Sequence, residues 1–353
     1  MVNNVYIHIP FCRNICTYCD FSKMFYNEEM ISNYLNSLEK EINKTYKNDA
    51  IETLYVGGGT PSCLNKKHLE KLFKIINIFN LKKDYEFTFE CNIEDINKEL
   101  LIFLKNNKVN RLSIGIQSFN KKILNTLGRN YNFNIIEKIL LCKKYFDNIN
   151  VDLIYGINNQ SIKDLKQDLE KIFSLDITHI SIYSLILENN TILKINNYIP
   201  MEDDEVREMY DLIKKVLKEN NYIHYEISNF SKKGYESKHN LNYWNNNTYY
   251  GFGLGASGYI NNIRYTNTRN INKYLKDQYI YEKETITKEI DMSYFMILGL
   301  RKVQGVNNQE FFKRYNTNIK DNFNVEKLEY KNGYYFIKED NLFIENSILI
   351  DFV

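Results

Sequence analysis

Three cysteines, Cys12, Cys16 and Cys19, lie within eight residues in the stretch "YIHIPFCRNICTYCDF", spaced C-x3-C-x2-C. With this cysteine content, such a grouping arises by chance roughly 0.002 times in a chain of this length. Thiolates set so close together point to metal or redox chemistry. A closed zinc site wants four ligands, usually from two short knuckles, and the sequence has no second knuckle. His8 stands close by, but a strand residue so near the first cysteine is an awkward fourth ligand. An iron–sulfur cubane answers the count better, because three thiolates leave one iron open to an outside ligand.

The elements that must position this group follow from periodicity. Strand-like runs are expected at Val5–Ile9, Thr53–Val56, Glu86–Glu90, Arg111–Ile116, Asn150–Ile154 and His179–Ser184. Helical patterns fall between and after them, at Glu28–Tyr46, Lys67–Phe79, Lys98–Asn106, Phe133–Tyr145, Ile162–Phe173 and Asp204–Lys218. Strands alternating with helices predict an α/β fold with a parallel sheet, here a partial (β/α)6 barrel. In such folds the chemistry gathers at the C-terminal strand ends. The cysteines follow the first strand, "GGGTP" follows the second, Glu90 ends the third, Gln117 the fourth, and Asp152 lies in the fifth. This barrel is expected over residues 1–225, a connecting segment over 226–290, and a small α+β, winged-helix-like module over 291–353. Within that module "YYFIKEDNLFIEN" is expected to form a strand pair.

Composition narrows the classes. The chain has 353 residues, with 46 basic against 44 acidic side chains and a net charge of +2. That balance leaves no electrostatic footprint for nucleic acid or an anionic membrane. No run of about 20 apolar residues could span a bilayer, and no secretory signal opens the sequence. A cytoplasmic protein with reduced thiols is expected.

Taken together, "YIHIPFC…C.YCDF", "LYVGGGTPS", "RLSIGIQSF", "LGR", "NVDLIYG", "YEISNF" and "HNLNYW" resemble the radical S-adenosylmethionine superfamily. The resemblance is to its coproporphyrinogen oxidase-like subgroup, and within that to the haem-chaperone branch. It implies a 4Fe–4S cluster on Cys12, Cys16 and Cys19, whose open iron is chelated by S-adenosylmethionine. An electron from the reduced cluster can then cleave the sulfonium and release a 5′-deoxyadenosyl radical. The resemblance further implies cofactor contacts at Tyr6, Tyr18, Gly58, Gly59, Thr60, Glu90, Gln117, Arg129 and Asp152. Arg129 is expected to pair with the cofactor carboxylate and Asp152 to lie near the ribose hydroxyls. In the family Glu90 is usually followed by Ala-Asn-Pro, whereas here Cys91, Asn92 and Ile93 follow.

The branch also implies haem as cargo, with His239, Asn240, Tyr243 and Trp244 of "HNLNYW" as its expected contacts. A haem-acceptor protein and an electron donor are the implied partners, with membrane contact only through the acceptor. The competing expectation is oxygen-independent coproporphyrinogen oxidase, which decarboxylates two propionates. That branch carries a fourth cysteine where Phe21 stands, and an extension where only five residues precede Tyr6. One departure from the carrier branch is Tyr259 in "GLGASGY", a stretch where carriers often have histidine.

Overall fold

Period-two alternation in the first strands decides how the sheet is covered. Leu54 and Val56, Phe87 and Phe89, Leu112 and Ile114, Val151 and Leu153, and Ile180 and Ile182 alternate with polar or small residues, and all are buried. One sheet face is therefore apolar and must be covered by helices.

The computed structural model describes residues 2–353. Strands β1 (Asn4–Ile9), β2 (Ala50–Gly58), β3 (Asn80–Asn92), β4 (Arg111–Gln117), β5 (Asn148–Tyr155) and β6 (His179–Ser184) pair in parallel, each with the next. Between them run α1 (Glu28–Thr45), α2 (Lys66–Ile76), α3 (Lys98–Asn106), α4 (Lys121–Thr126), α5 (Ile135–Lys143) and α6 (Ile162–Ser174); α7 (Asp203–Glu219) follows β6. The six expected strands and six expected helices are all present. Asparagine is put to use at the helix starts. Asn27, Asn65, Asn97, Asn120 and Asn134 each accept a backbone N–H of the first turn, which satisfies a donor the helix cannot.

The sheet grows beyond the six strands. Residues β7 (Ile223–Glu226) and β8 (Asn229–Ser231) add antiparallel strands beside β6. On the other side, β9 (Tyr250–Phe252) pairs in parallel with β1, giving the order β9-β1-β2-β3-β4-β5-β6-β8-β7. Helix α8 (Lys238–Trp244) lies between these additions in sequence. A separate three-stranded sheet follows, β10 (Ser257–Ile260), β11 (Ile263–Asn267) and β12 (Ile280–Thr285).

The C-terminal residues form α9 (Lys288–Gly299), β13 (Val306–Asn307), α10 (Asn308–Tyr315), β14 (Glu329–Lys331) and β15 (Tyr334–Phe336). Here the strand pair differs from expectation. Tyr334–Phe336 pairs back with Glu329–Lys331, while Glu339–Ile344 and Glu345–Leu349 are helical. The cause is the turn: Asn332 and Gly333 both have positive φ, the signature of a two-residue hairpin.

Candidate functional site

The cysteine loop is pinned at several points. The N–H groups of Met24 and Tyr26 donate to Pro10 O (2.7 Å) and Cys12 O (2.9 Å), closing its base. Thr17 N–H reaches Leu127 O (3.3 Å), and its hydroxyl donates to Thr126 O (2.9 Å). This explains "LGR": a Cβ on Gly128 would come within 2.9 Å of Thr17. His8 holds the far end, with Nε2 against Ser22 O (2.7 Å) and Nδ1 against Tyr6 OH (2.9 Å). Burial pushes its imidazole down to about 4, so it stays neutral in that brace.

One cavity of about 590 Å³ opens beside this loop. Cys12, Cys16, Cys19, Tyr18, Gly58, Gly59, Thr60, Glu90, Gln117, Arg129 and Asp152 all line it. Residues scattered over some 140 positions are thus brought together by the parallel strand ends. The glycines answer to the protein's own packing. A Cβ on Gly57 would lie 2.6 Å from the Glu90 carboxyl, and one on Gly59 2.9 Å from Cys12 Sγ. Any larger residue at position 59 would push a thiol or a strand end aside.

Glu90 accepts Tyr55 OH (2.7 Å) and Gly58 N–H (2.9 Å). Burial outweighs those donors and pushes its carboxyl up to about 7. Asp152 accepts from Asn150 Nδ2 (2.7 Å), and burial raises it as well. Arg129 donates through Nη1 to Tyr131 OH (2.7 Å) and Asn92 Oδ1 (3.3 Å), and through Nη2 to Tyr18 OH (3.1 Å). Its buried Nε has no partner among the described residues. Gln117 sits at φ 66°, a left-handed conformation for a non-glycine residue, at an irregularity in the β4–β5 register. Such strain persists where surrounding structure enforces it, often at functional sites.

The remaining expected residues fall elsewhere. Tyr6 faces the barrel interior against His8 and does not line the cavity. His239 is buried, with Nδ1 against Thr53 Oγ1 (2.7 Å), Nε2 against Tyr243 OH (2.8 Å) and its ring stacked on Tyr55 at 5.1 Å. Both ring nitrogens are engaged, so the imidazole is a brace and does not face an open space. Glu86 anchors the start of this helix by accepting the N–H groups of Lys238 and His239 (both 3.0 Å). Trp244 lies beneath Arg301, 5.7 Å from the guanidinium. Only Asn240 of the motif reaches the cavity. Tyr259 is buried in the small sheet, where it donates to Asp291 Oδ1 (3.1 Å).

Sequence reasoning missed Tyr55, Arg111, Ser113, Asn150, Ser181 and Tyr183, which also line the cavity. Counting back in steps of two from Glu90, Gly115 and Asp152 would have found the polar inner face.

A family model for the radical SAM superfamily matches residues 6–172. The protein named heme chaperone HemW of Lactococcus lactis is 39% identical over 326 residues, spanning 89% of this chain and 85% of the relative. The chain belongs to the HemW family. Its Bacillus subtilis member is 38% identical, over 90% of this chain and 88% of the relative. The Escherichia coli HemW is 28% identical, over 87% and 85%. Among solved structures, coproporphyrinogen III oxidase (HemN) from Escherichia coli superposes with a TM-score of 0.87 over 99% of this chain and 90% of that one, at 18% identity. At that identity the likeness speaks for the fold alone. The HemW-family chain thus has the HemN α/β architecture.

The family implies a 4Fe–4S cluster and S-adenosylmethionine, and this chain's residues fit both. Three thiols of the loop share one cavity with the orphaned Arg129 Nε and two recessed carboxyls. Among the described residues no three His, Cys, Asp or Glu side chains converge on a single ion position. A cubane does not ask for this, because each thiolate takes its own iron. When bound, the pair would supply one-electron chemistry that side chains lack. Burial holds Cys12 up at about 11 and also raises Cys19, so loading the loop must displace protons.

Proposed function

We propose that this chain is a haem carrier that holds a 4Fe–4S cluster and S-adenosylmethionine and passes haem to an acceptor protein. In this reading Cys12, Cys16 and Cys19 ligate the cluster. Arg129 pairs with the cofactor carboxylate, Glu90 and the Gly58–Thr60 segment receive its amino end, and Asp152 accepts from its ribose hydroxyls; Tyr18 and Gln117 complete the wall. The observation that carries the reading is this shared cavity in a chain of the HemW family. All six cysteines are free, which supports a reducing, cytoplasmic setting. No helix among the described residues is long and apolar enough to cross a membrane.

A second reading, oxygen-independent coproporphyrinogen oxidase, draws on the HemN-like fold. Against it stands Phe21, two residues beyond Cys19, where that branch has a fourth cysteine. One experiment separates the two. The chain is reconstituted with iron and sulfide without oxygen, then given haem in one arm and coproporphyrinogen, reductant and S-adenosylmethionine in the other. Haem uptake without protoporphyrinogen formation is expected. Turnover of coproporphyrinogen would overthrow the carrier reading.

A further inference from the structure

Large apolar side chains are exposed where the cavity meets solvent. Phe21 is 69% exposed, Ile186 65% and Tyr183 43%, and all three line the same cavity as the cysteines, together with Leu185. They come from two separate segments, and both segments are tied down. Phe21 belongs to the cysteine loop that His8 braces through Ser22 O. Ile186 belongs to the stretch after β6, where Leu185 N–H donates to Tyr155 O (2.9 Å) and Leu193 N–H to Thr17 O (3.0 Å). Pinned segments that leave apolar side chains in water at a cavity mouth mark a binding surface for an apolar ligand.

The charges at the mouth define that ligand further. Lys23, Arg269, Asp20 and Glu188 all reach it, so there is no bulk attraction for an anion. Lys23 is spent on Cys19 O. Arg269 is exposed and has no hydrogen-bond or ion-pair partner among the described residues, so its planar fork is free for a carboxylate. An apolar body with a carboxylate at its edge satisfies both features.

We propose that the cavity mouth, walled by Phe21, Tyr183, Leu185 and Ile186 and bordered by Arg269, is where haem docks; this rests on the carrier reading above. The "HNLNYW" helix is then a floor beneath the cofactors. No histidine lines the cavity. His8, His179 and His239 each have both ring nitrogens engaged by protein partners. His68 is held through Nε2 by Ser32, and His224 stacks on Phe230 at 4.2 Å. Haem at the mouth is therefore held by apolar and ionic contacts without an imidazole from this chain. That suits a carrier, whose cargo has to leave for a stronger ligand.

The test uses the cluster-loaded chain titrated with haem in the absence of oxygen. Phe21→Glu with Ile186→Glu should weaken haem binding at least about tenfold, the factor that corresponds to about 1.4 kcal/mol. Ile186→Glu alone lies outside the cysteine loop and should weaken it in the same direction, with iron content and the response to S-adenosylmethionine unchanged. Arg269→Ala should weaken haem several-fold but leave binding of haem dimethyl ester, which has no free carboxylates, as it was. His239→Gln should leave the haem spectrum unchanged. Wild-type affinity in both glutamate variants would overturn the site, as would loss of the haem spectrum in a folded His239→Gln chain. If the wild-type chain takes up no haem at all, the carrier reading itself falls.

Discussion

The mouth and the floor of the barrel are both built from polar and aromatic residues, yet they are finished differently. At the floor, His239 has both nitrogens engaged, Glu86 accepts two backbone donors, and Tyr243 packs edge-on against Tyr249 at 4.6 Å. At the mouth, Arg129 Nε is orphaned, Glu90 is pushed up to about 7, and Phe21 and Ile186 stand in water. Buried polar groups that satisfy one another hold a fold together. Groups left short of partners are the ones that can take a ligand. Saturation is incomplete at the floor too, where Asn242 Nδ2 and Trp244 Nε1 also lack a partner among the described residues; what separates the two regions is that the mouth's groups border an open cavity.

The largest effect should come from the mouth. Replacing any one of Cys12, Cys16 or Cys19 by Ala should abolish cluster binding, so that iron falls from about four per chain to background after anaerobic reconstitution. The floor should behave oppositely. His239→Ala leaves Tyr243 OH without its partner, takes from Thr53 one of its two, and opens a cavity against Tyr55, a combination expected to cost about 2–4 kcal/mol. Denaturant unfolding of the apo chain should show that loss, while the folded fraction still loads its cluster. If His239→Ala spared stability and removed haem binding, floor and mouth would have to exchange roles.

Much of this was legible in the sequence, and the reasons for the rest are physical. Long alternating runs such as Arg111–Gln117 announce themselves, and a turn such as "GGGTP" marks a strand end. Strands of three or four residues, such as Tyr250–Phe252, carry too few periods to read, so the sheet's growth at both edges was hidden. The cysteine spacing points to metal or redox chemistry, because thiolates at short range have few other uses, and the family implies the cluster. "HNLNYW" is harder to read, because imidazole and aromatic rings look the same on paper whether they face a ligand or each other. The structure adds the partners of His239, Tyr243 one helical turn on and Thr53 far away in sequence. What the sequence does not show is how close Gly59 lies to the protein itself: a Cβ there would meet Pro10 C at 2.8 Å and Cys12 Sγ at 2.9 Å.

A third carboxylate sharpens the contrast. Glu41 is buried away from the cavity and accepts Gly253 N–H (2.9 Å), Asn267 Nδ2 (2.6 Å) and Tyr274 OH (2.5 Å). Even so, burial pushes it up to about 7. Its folded value lies above the unfolded one, near 4.3. Its contribution to stability is therefore full below about pH 4, is lost as pH rises toward 7, and is flat beyond. By linkage the loss is on the order of 3 kcal/mol. Glu41→Gln should flatten that slope in melts taken from pH 4 to 8, with cluster loading unaffected. An unchanged slope would mean that the three donors already hold Glu41 ionised in the folded chain.

The smallest expected effect lies where the two regions touch. Tyr55 stacks on His239 below and donates its hydroxyl to Glu90 above. Tyr55→Phe keeps the ring, and so the stack, but removes one of the two donors that hold Glu90 ionised. The Glu90 carboxyl should then titrate higher, leaving Gly58 N–H as its remaining donor. A hydrogen bond to a charged group of this kind is worth about 1.5 kcal/mol. Affinity for S-adenosylmethionine at pH 7 should therefore fall by about tenfold or less. The decisive readout is the pH profile: the loss should shrink as pH rises and Glu90 ionises in both proteins. A loss that is constant with pH would make Tyr55 a packing residue of the floor, and the floor would then reach the site through shape alone.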